Sequence, residues 1–320
     1  MNSCLAVLDA LALDFEYARA DAGLACFKKR GEYIPDETVD AARSADACLM
    51  GAIQTPVPTP KDYKSPVLAL RKELDLFANL RPFRRWTPAP PDAKPMDIIL
   101  VRENTEDVYG CKEYERGGAV ISERIISRKG CERIVGFAFD YAARHRRKKI
   151  TCVHKANVLK ISDGMFREIF YDLAKARGWE RGGREAADEH VDAAAMRLIT
   201  DPARYDVIVT LNLYGDILSD EIAGLVGGLG FAPSANIGER NAIFEPVHGS
   251  APDIAGKGIA NPIAMILSGT MMLRHLGFER QAVKAESAIE KLLKEGKCTP
   301  DCGGNLGTKE FTAELVRELR

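Results

Sequence analysis

The sequence predicts an α/β protein of two domains with a mostly parallel sheet, and three observations lead there. Short apolar runs rich in β-branched residues alternate with longer segments of helical period, the order in which parallel sheets are built. The chain has 320 residues, which at about 150 per domain is enough for two domains or one large one. A proline-rich stretch and a glycine-rich stretch interrupt the alternation.

Taken in order, the opening residues MNSCLAVLDALALDFEY carry Asp9 and Asp14 inside an apolar stretch and lack a basic start, so they do not read as a signal peptide. Pro82–Pro95 (PFRRWTPAPPDAKP) holds five prolines in fourteen residues. It is expected as a loop, outside any helix interior or central strand. Asp97–Val101, Ile150–Val153 and Asp206–Thr210 read as buried strands. Glu132–His145 and Asp163–Arg177 space their apolar residues three and four apart, as amphipathic helices do. The basic run Arg144–Lys149 falls between a helix end and a strand start, where it complements the helix dipole and faces water. Gly224–Gly238 marks a second break.

Composition excludes several classes. Apolar residues make up 46% and charged ones 28%, as in soluble globular chains. Lys+Arg 45 against Asp+Glu 46 leaves a net charge of -1, with no basic excess for holding nucleic acid. No apolar run reaches the roughly 18 residues of a membrane span. Eight scattered cysteines without a CxxC pair point to reduced thiols and a cytoplasmic location rather than a zinc site.

Four constellations carry chemistry. Arg71, Arg81 and Arg102 stand at a helix, at that helix's end and at a strand's end. Guanidinium forks grip carboxylates bidentately, so three in one cleft would suit a di- or tricarboxylic acid. Asp216 and Asp220 follow a strand at i,i+4 spacing. Oxygen donors without His or Cys suit Mg2+ or Mn2+, although an acidic first turn favoured by the helix dipole explains them equally. Lys155 follows the strand ending at Val153, where ligands of parallel sheets bind and where a lysine can act as a base. The segment from Phe244 to Pro262 surrounds His248 with small residues and glycines. Its backbone N–H groups could meet phosphate oxygens, and Asp253 could accept from ribose hydroxyls; an ordinary surface loop explains it as well. No GxGxxG follows a strand and no P-loop is present.

Together these segments resemble the β-decarboxylating dehydrogenase family of isocitrate, homoisocitrate and 3-isopropylmalate dehydrogenases, nearest its archaeal 3-isopropylmalate and homoisocitrate members. The motifs are LRKELDLFANLRP, VRENTEDVYG, HKANVLK, VDAAAMRL, NLYGDILSDEIAGLVGGLG and FEPVHGSAPDIAGKGIANP, and the likeness runs from Leu5 to the C-terminus. The resemblance implies a discontinuous cofactor-side domain of residues 1–76 and 227–320 and a substrate and dimerisation domain of residues 77–226. It implies that Arg71, Arg81 and Arg102 grip the malate part of the substrate. Asp192, Asp216 and Asp220 would hold Mg2+ or Mn2+. Lys155 would be the base at the 2-hydroxyl, and Tyr109 would protonate the enol left when CO2 departs. Glu245, His248, Gly249, Ser250, Ala251, Asp253, Ile254 and Asn261 would line the cofactor. Lys155 and Asp192 would serve the site of a second copy, making a homodimer or higher assembly the active unit, with no nucleic-acid or membrane partner.

NADP-dependent relatives place a lysine and a tyrosine at Asp253 and Ile254. A carboxylate there repels a 2′-phosphate, so the expected cofactor is NAD. Specificity is expected at the start of the Arg71 helix, Lys64-Ser65-Pro66-Val67-Leu68. Val67 and Leu68 would cover an isopropyl group, whereas Ser65 and Lys64 could reach a longer carboxylate arm. Burying an unpaired carboxylate against Val67 and Leu68 is costly, which favours 3-isopropylmalate and its conversion to 2-oxoisocaproate, the leucine-biosynthetic step. The alternatives are homoisocitrate or isocitrate as substrate, or a catalytically silent binding subunit; silent chains lose the arginines, lysine or aspartates that this one keeps. A hydrolase using the aspartates alone leaves the arginines unexplained. The family opens with a strand and a Gly-rich turn, whereas this sequence starts inside the helix that follows. The expectation is a missing first strand and a weakened chain.

Overall fold

The computed structural model describes residues 1–56, 58, 60, 63–86, 95–179 and 181–320. In chain order its longer elements are α1 (Asn2–Ala10), α2 (Leu24–Arg30), α3 (Asp36–Ser44), β1 (Cys48–Leu49), α4 (Pro66–Glu73), β2 (Ala78–Arg84) and β3 (Asp97–Glu103). Next come β4 (Glu113–Arg116), β5 (Ala119–Ser122), α5 (Arg128–Arg144), β6 (Lys149–His154), α6 (Ser162–Ala176), β7 (Glu185–His190) and α7 (Val191–Thr200). The chain finishes with β8 (Val207–Thr210), α8 (Asn212–Val226), β9 (Pro233–Ile237), β10 (Ala242–Pro246), α9 (Ile263–His275), α10 (Glu279–Lys294) and α11 (Thr308–Leu319). There are two compact units: one holds Met1–Asp75 and Val226–Arg320, the other Leu76–Arg84 and, from Pro95, the chain through Leu225.

The second unit runs its strands in the order β2-β3-β8-β6-β7, with only the β2–β3 ladder antiparallel. Parallel strands are covered on both faces, which is why β8 reads Val-Ile-Val-Thr with every side chain buried. The expected strands and the two expected helices are all present, the helices as α5 and α6. Ser127 caps α5 by accepting from the Gly130 amide at 2.9 Å. Ile134, Val135, Ala138, Phe139 and Ala142 bury one face of it, and Phe139 meets Phe170 of α6 and Trp179, each at 5.3 Å between ring centroids. Each such aromatic contributes roughly 1.5–3 kcal/mol of burial.

The expected loop Pro82–Pro95 needs correction at its start. Pro82, Phe83 and Arg84 belong to β2, where Pro82 pairs with Ile99. A proline gives up one N–H but keeps its carbonyl and an extended-compatible φ, so the buried Phe83 holds the strand together beyond it. Residues 87–94 of that stretch lie outside the described residues. The basic run behaves as expected: Arg144, Arg146 and Lys148 are exposed, while Arg147 bridges Asp206 at 2.9 Å and Asp97 at 2.8 Å.

In the first unit, β1 runs parallel to β10 and β10 antiparallel to β9. The nearly all-apolar α9 packs on β9 and β10 and is flanked by α1 and α10. After α8 the chain breaks at Gly227 and Gly228, whose φ of 124° and 107° a side chain would resist. Among the described residues no helix is long and apolar enough to cross a membrane. All eight cysteines are free thiols.

Candidate active site

Parallel pairing in the second unit brings the strand ends level. Arg102 and Val153 both sit opposite Thr210, and His154 opposite His190. The residues that leave the sheet there, among them Asn212, Lys155 and Asp192, emerge at one carboxyl edge, where parallel sheets place ligands.

Arg81, Arg102, Tyr109, Asp216 and Asp220 meet at that edge. Arg102, 1% exposed, donates its Nε to Asn212 Oδ1 at 2.9 Å, pairs through Nη1 with Asp216, and lies 4.9 Å from the Tyr109 ring centroid. Arg81 donates to Ser219 Oγ at 2.5 Å and to Asn79 Oδ1 at 2.6 Å, with Asp216 and Asp220 at 3.7 and 3.8 Å. The Tyr109 hydroxyl donates to Asp216 Oδ2 at 2.5 Å. Burial raises the Asp220 pKa, with Arg81 pulling it down and Asp216 adding to the rise. Two carboxylates one helical turn apart, each attended by an arginine, form an oxygen-only donor pair suited to Mg2+ or Mn2+. The approach is tight: a Cβ on Gly215 would fall 2.6 Å from Arg102 Cγ and 2.8 Å from its Cβ. Gly215→Ala is therefore expected to push Arg102 aside and to raise the KM for an acidic substrate at least about tenfold, measured by steady-state kinetics beside a melting curve.

Lys155 and Asp192 form a pair of their own. The ammonium donates to Asp192, and this hydrogen bond holds the Asp192 carboxyl below its ordinary pKa. Among the described residues no three His, Cys, Asp or Glu side chains gather where one cation could be held. Asp192 thus does not join Asp216 and Asp220 within one chain. The turn carrying Lys155 is anchored by His154, 1% exposed, whose Nε2 lies 2.9 Å from Asp188 and whose Nδ1 accepts from the Ala156 amide at 3.1 Å. Burial lowers the His154 pKa, against the pull of Asp188, favouring the neutral ring.

The remaining sequence-predicted residues lie in the first unit. Arg71 is buried on α4 with Glu245 of β10 at 3.6 Å, and Glu245 also accepts from Asn236 at 2.7 Å. Ser65 is the N-cap of α4, accepting from the Leu68 amide at 3.5 Å, while Val67 and Leu68 stand half-buried in its first turn. His248 Nδ1 lies 3.0 Å from the Gly249 carbonyl. Gly249, Ser250, Ala251 and Asp253 are exposed, Ile254 half-buried. Ala251 takes a left-handed φ of 43° just before the turn that presents Asp253. Asn261, two residues before α9 begins, accepts from the Ile263 amide at 2.9 Å and donates to Asp301 at 3.0 Å.

Sequence reasoning missed Asn212, Ser219, Asp107, Arg124, Asp163 and Tyr214. Asn212 and Ser219 flank Asp216 on α8 and orient the two arginines. Asp107 lies inside the VRENTEDVYG motif without having been singled out there and Asp163 in the first turn of α6, and only their 0% exposed side chains reveal them. A fully buried carboxylate needs partners, yet no local spacing announces Arg124, 39 residues from Asp163.

A family model described as isocitrate/isopropylmalate dehydrogenase matches residues 1–316. A 3-isopropylmalate dehydrogenase from Methanothermobacter thermautotrophicus is 52% identical over 320 residues, covering 100% of this chain and 94% of that protein. A homoisocitrate dehydrogenase from Methanocaldococcus jannaschii is 48% identical over 318 residues, 96% of this chain and 90% of the relative. The crystal structure of isocitrate dehydrogenase from Methylococcus capsulatus superposes with a TM-score of 0.94 at 42% identity, covering 100% of this chain and 95% of the other.

Proposed function

The chain belongs to the isocitrate/isopropylmalate dehydrogenase family, and from that premise we propose that it oxidises and decarboxylates a 3-substituted malate. The proposed substrate is 3-isopropylmalate, ahead of homoisocitrate and isocitrate, and the cofactors are NAD and Mg2+ or Mn2+. The observation that carries this is the meeting of two nearly buried guanidiniums, a tyrosine hydroxyl and two carboxylates on one strand edge.

Arg81 and Arg102 grip the carboxylates of the malate part, and Arg71 is the third fork. Lys155 takes the proton of the 2-hydroxyl as the C2 hydrogen leaves as hydride. When bound, the nicotinamide supplies the hydride acceptor and the divalent ion draws electron density from the hydroxyl and the adjacent carboxylate. Once CO2 has left, Tyr109 delivers its hydroxyl proton to the enol carbon. Asp216 and Asp220 would hold the ion, joined by Asp192 of a second copy of the chain, which would also bring Lys155. Homodimerisation is supported by apolar side chains left open on the second unit, such as Ile161 (91% exposed), Val158 (64%) and Ile199 (62%).

Glu245 near the end of β10 and His248, Gly249, Ser250, Ala251, Ile254 and Asn261 after it would take the cofactor, and the exposed Asp253 disfavours a 2′-phosphate. Val67 and Leu68 favour an aliphatic substituent over a carboxylate arm.

Side-by-side kcat/KM on the three acids, each with NAD and NADP and with and without Mg2+, tests all of this. The expected result is at least a tenfold advantage, roughly 1.4 kcal/mol, for 3-isopropylmalate and for NAD. A tenfold preference for homoisocitrate reassigns the substrate, and equal use of NADP overturns the cofactor assignment. No turnover of any acid overturns the enzyme reading itself.

A further inference from the structure

We propose that Arg124 is a positioning residue: wedged between the buried carboxylates of Asp107 and Asp163, it locks together the three backbone segments that carry Tyr109, Lys155 and Asp216. Its Nε donates to Asp107 Oδ1 at 2.6 Å and its Nη1 to Asp163 Oδ1 at 2.7 Å, and both acid side chains are 0% exposed. Apart from the Ser162 hydroxyl, which donates to Asp163 Oδ1 at 3.2 Å, the other partners of those side chains lie on the segments that carry Tyr109, Lys155 and Asp216. Asp107 accepts from the Val108 amide, one residue before Tyr109, and from the Leu213 amide at the start of α8, both at 3.0 Å. Asp163 accepts from the Lys155 amide at 2.8 Å and the Tyr214 hydroxyl at 3.1 Å. Tyr214 in turn lies under the guanidinium, 5.1 Å from its carbon to the ring centroid.

Two carboxylates withdrawn from water require a cation, and a guanidinium can serve both at fixed angles where an ammonium cannot. Burial alone would lower the pKa of Arg124, but its hydrogen bonds to Asp107 and Asp163 and their negative charges outweigh it and raise it, so the charge persists. The backbone shows what is held. Asp107 adopts φ 70° and ψ -144°, a conformation other residues than glycine avoid, and this kink opens the short turn Val108–Gly110 that presents Tyr109. The clamp keeps that kink in register with α8 and with the end of β6. The proton donor, the base and the carboxylate helix then share one cationic pin that touches none of the reacting atoms.

The catalytic consequence rests on the roles proposed above for Tyr109, Lys155 and Asp216; the clamp itself does not. The test compares the full chain with R124M and R124K by amide hydrogen exchange over residues 105–112, 152–160 and 209–217, with melting curves and steady-state kinetics. R124M is expected to speed exchange about tenfold or more in all three segments together, leaving 279–294 unchanged. Its kcat should fall roughly a hundredfold with KM nearly constant, because misplacement rather than lost binding is the defect, and R124K should recover part of it. Acceleration in one segment alone, acceleration throughout the chain, or an unchanged kcat overturns the proposal. If R124M does not fold, Y214F decides: faster exchange over 152–160 supports the clamp and unaltered exchange overturns it. Should the unmodified chain turn over none of the acids, the proposed activity fails, while the exchange result still judges the clamp.

Discussion

Asp216→Asn is expected to abolish Mg2+-stimulated turnover, lowering kcat/KM by about a thousandfold, the several kcal/mol that a cation supplies to developing charge. The carboxylate sits at the centre of the site: Arg102 pairs with Oδ1, Arg81 stands 3.7 Å from it, and Tyr109 donates to Oδ2. An amide keeps one acceptor oxygen but loses the charge that holds a cation, and it turns N–H donors toward groups that are themselves donors. The side chain is 41% exposed, so the fold should survive and the melting temperature should move little. Activity measured across a Mg2+ titration separates the outcomes. Turnover that persists with its ion dependence intact excludes Asp216 as a ligand of the ion.

The second large effect is expected at Arg102. Arg102→Lys retains one positive charge but cannot reach Asn212 and Asp216 together while also forking a substrate carboxylate. Losing one or two charged hydrogen bonds, each worth about 1.5–3 kcal/mol, should raise KM for the acid roughly 10- to 100-fold or more. Asn212 Oδ1, fully buried, would lose its guanidinium partner, so a modest drop in melting temperature is also expected. An unchanged KM would reduce Arg102 to a structural ion pair.

Much of this was legible from residue types alone. The β-branched runs gave β3, β6 and β8 because a strand buried on both faces has little freedom in composition. Arg102, Asp216 and Asp220 stood out because charge at a strand end or on one helix face is chemically conspicuous; Arg81, expected at the end of the Arg71 helix, lies instead inside β2 opposite Leu100, and the four do converge. Pro82 misled: strand membership there depends on Phe83, 0% exposed, and on pairing with β3, neither visible locally. Ser65 and Asn261 drew attention as ligand contacts; Ser65 also caps α4, and Asn261 accepts from the amide of Ile263. The Arg124 clamp escaped notice because its three charges come from distant segments, with no period to connect them.

The strand order has a consequence for the newborn chain. β8 fills the gap between β3 and β6, with Val209 pairing both Val101 and Cys152, yet a ribosome delivers it last of the unit's strands. At about 5–20 residues per second, the apolar β3 waits on the order of ten seconds for its neighbour. During that interval its greasy edge lies open to stray partners. Translation speed and chaperone supply, rather than final stability, should therefore set how much of this protein a cell recovers in usable form.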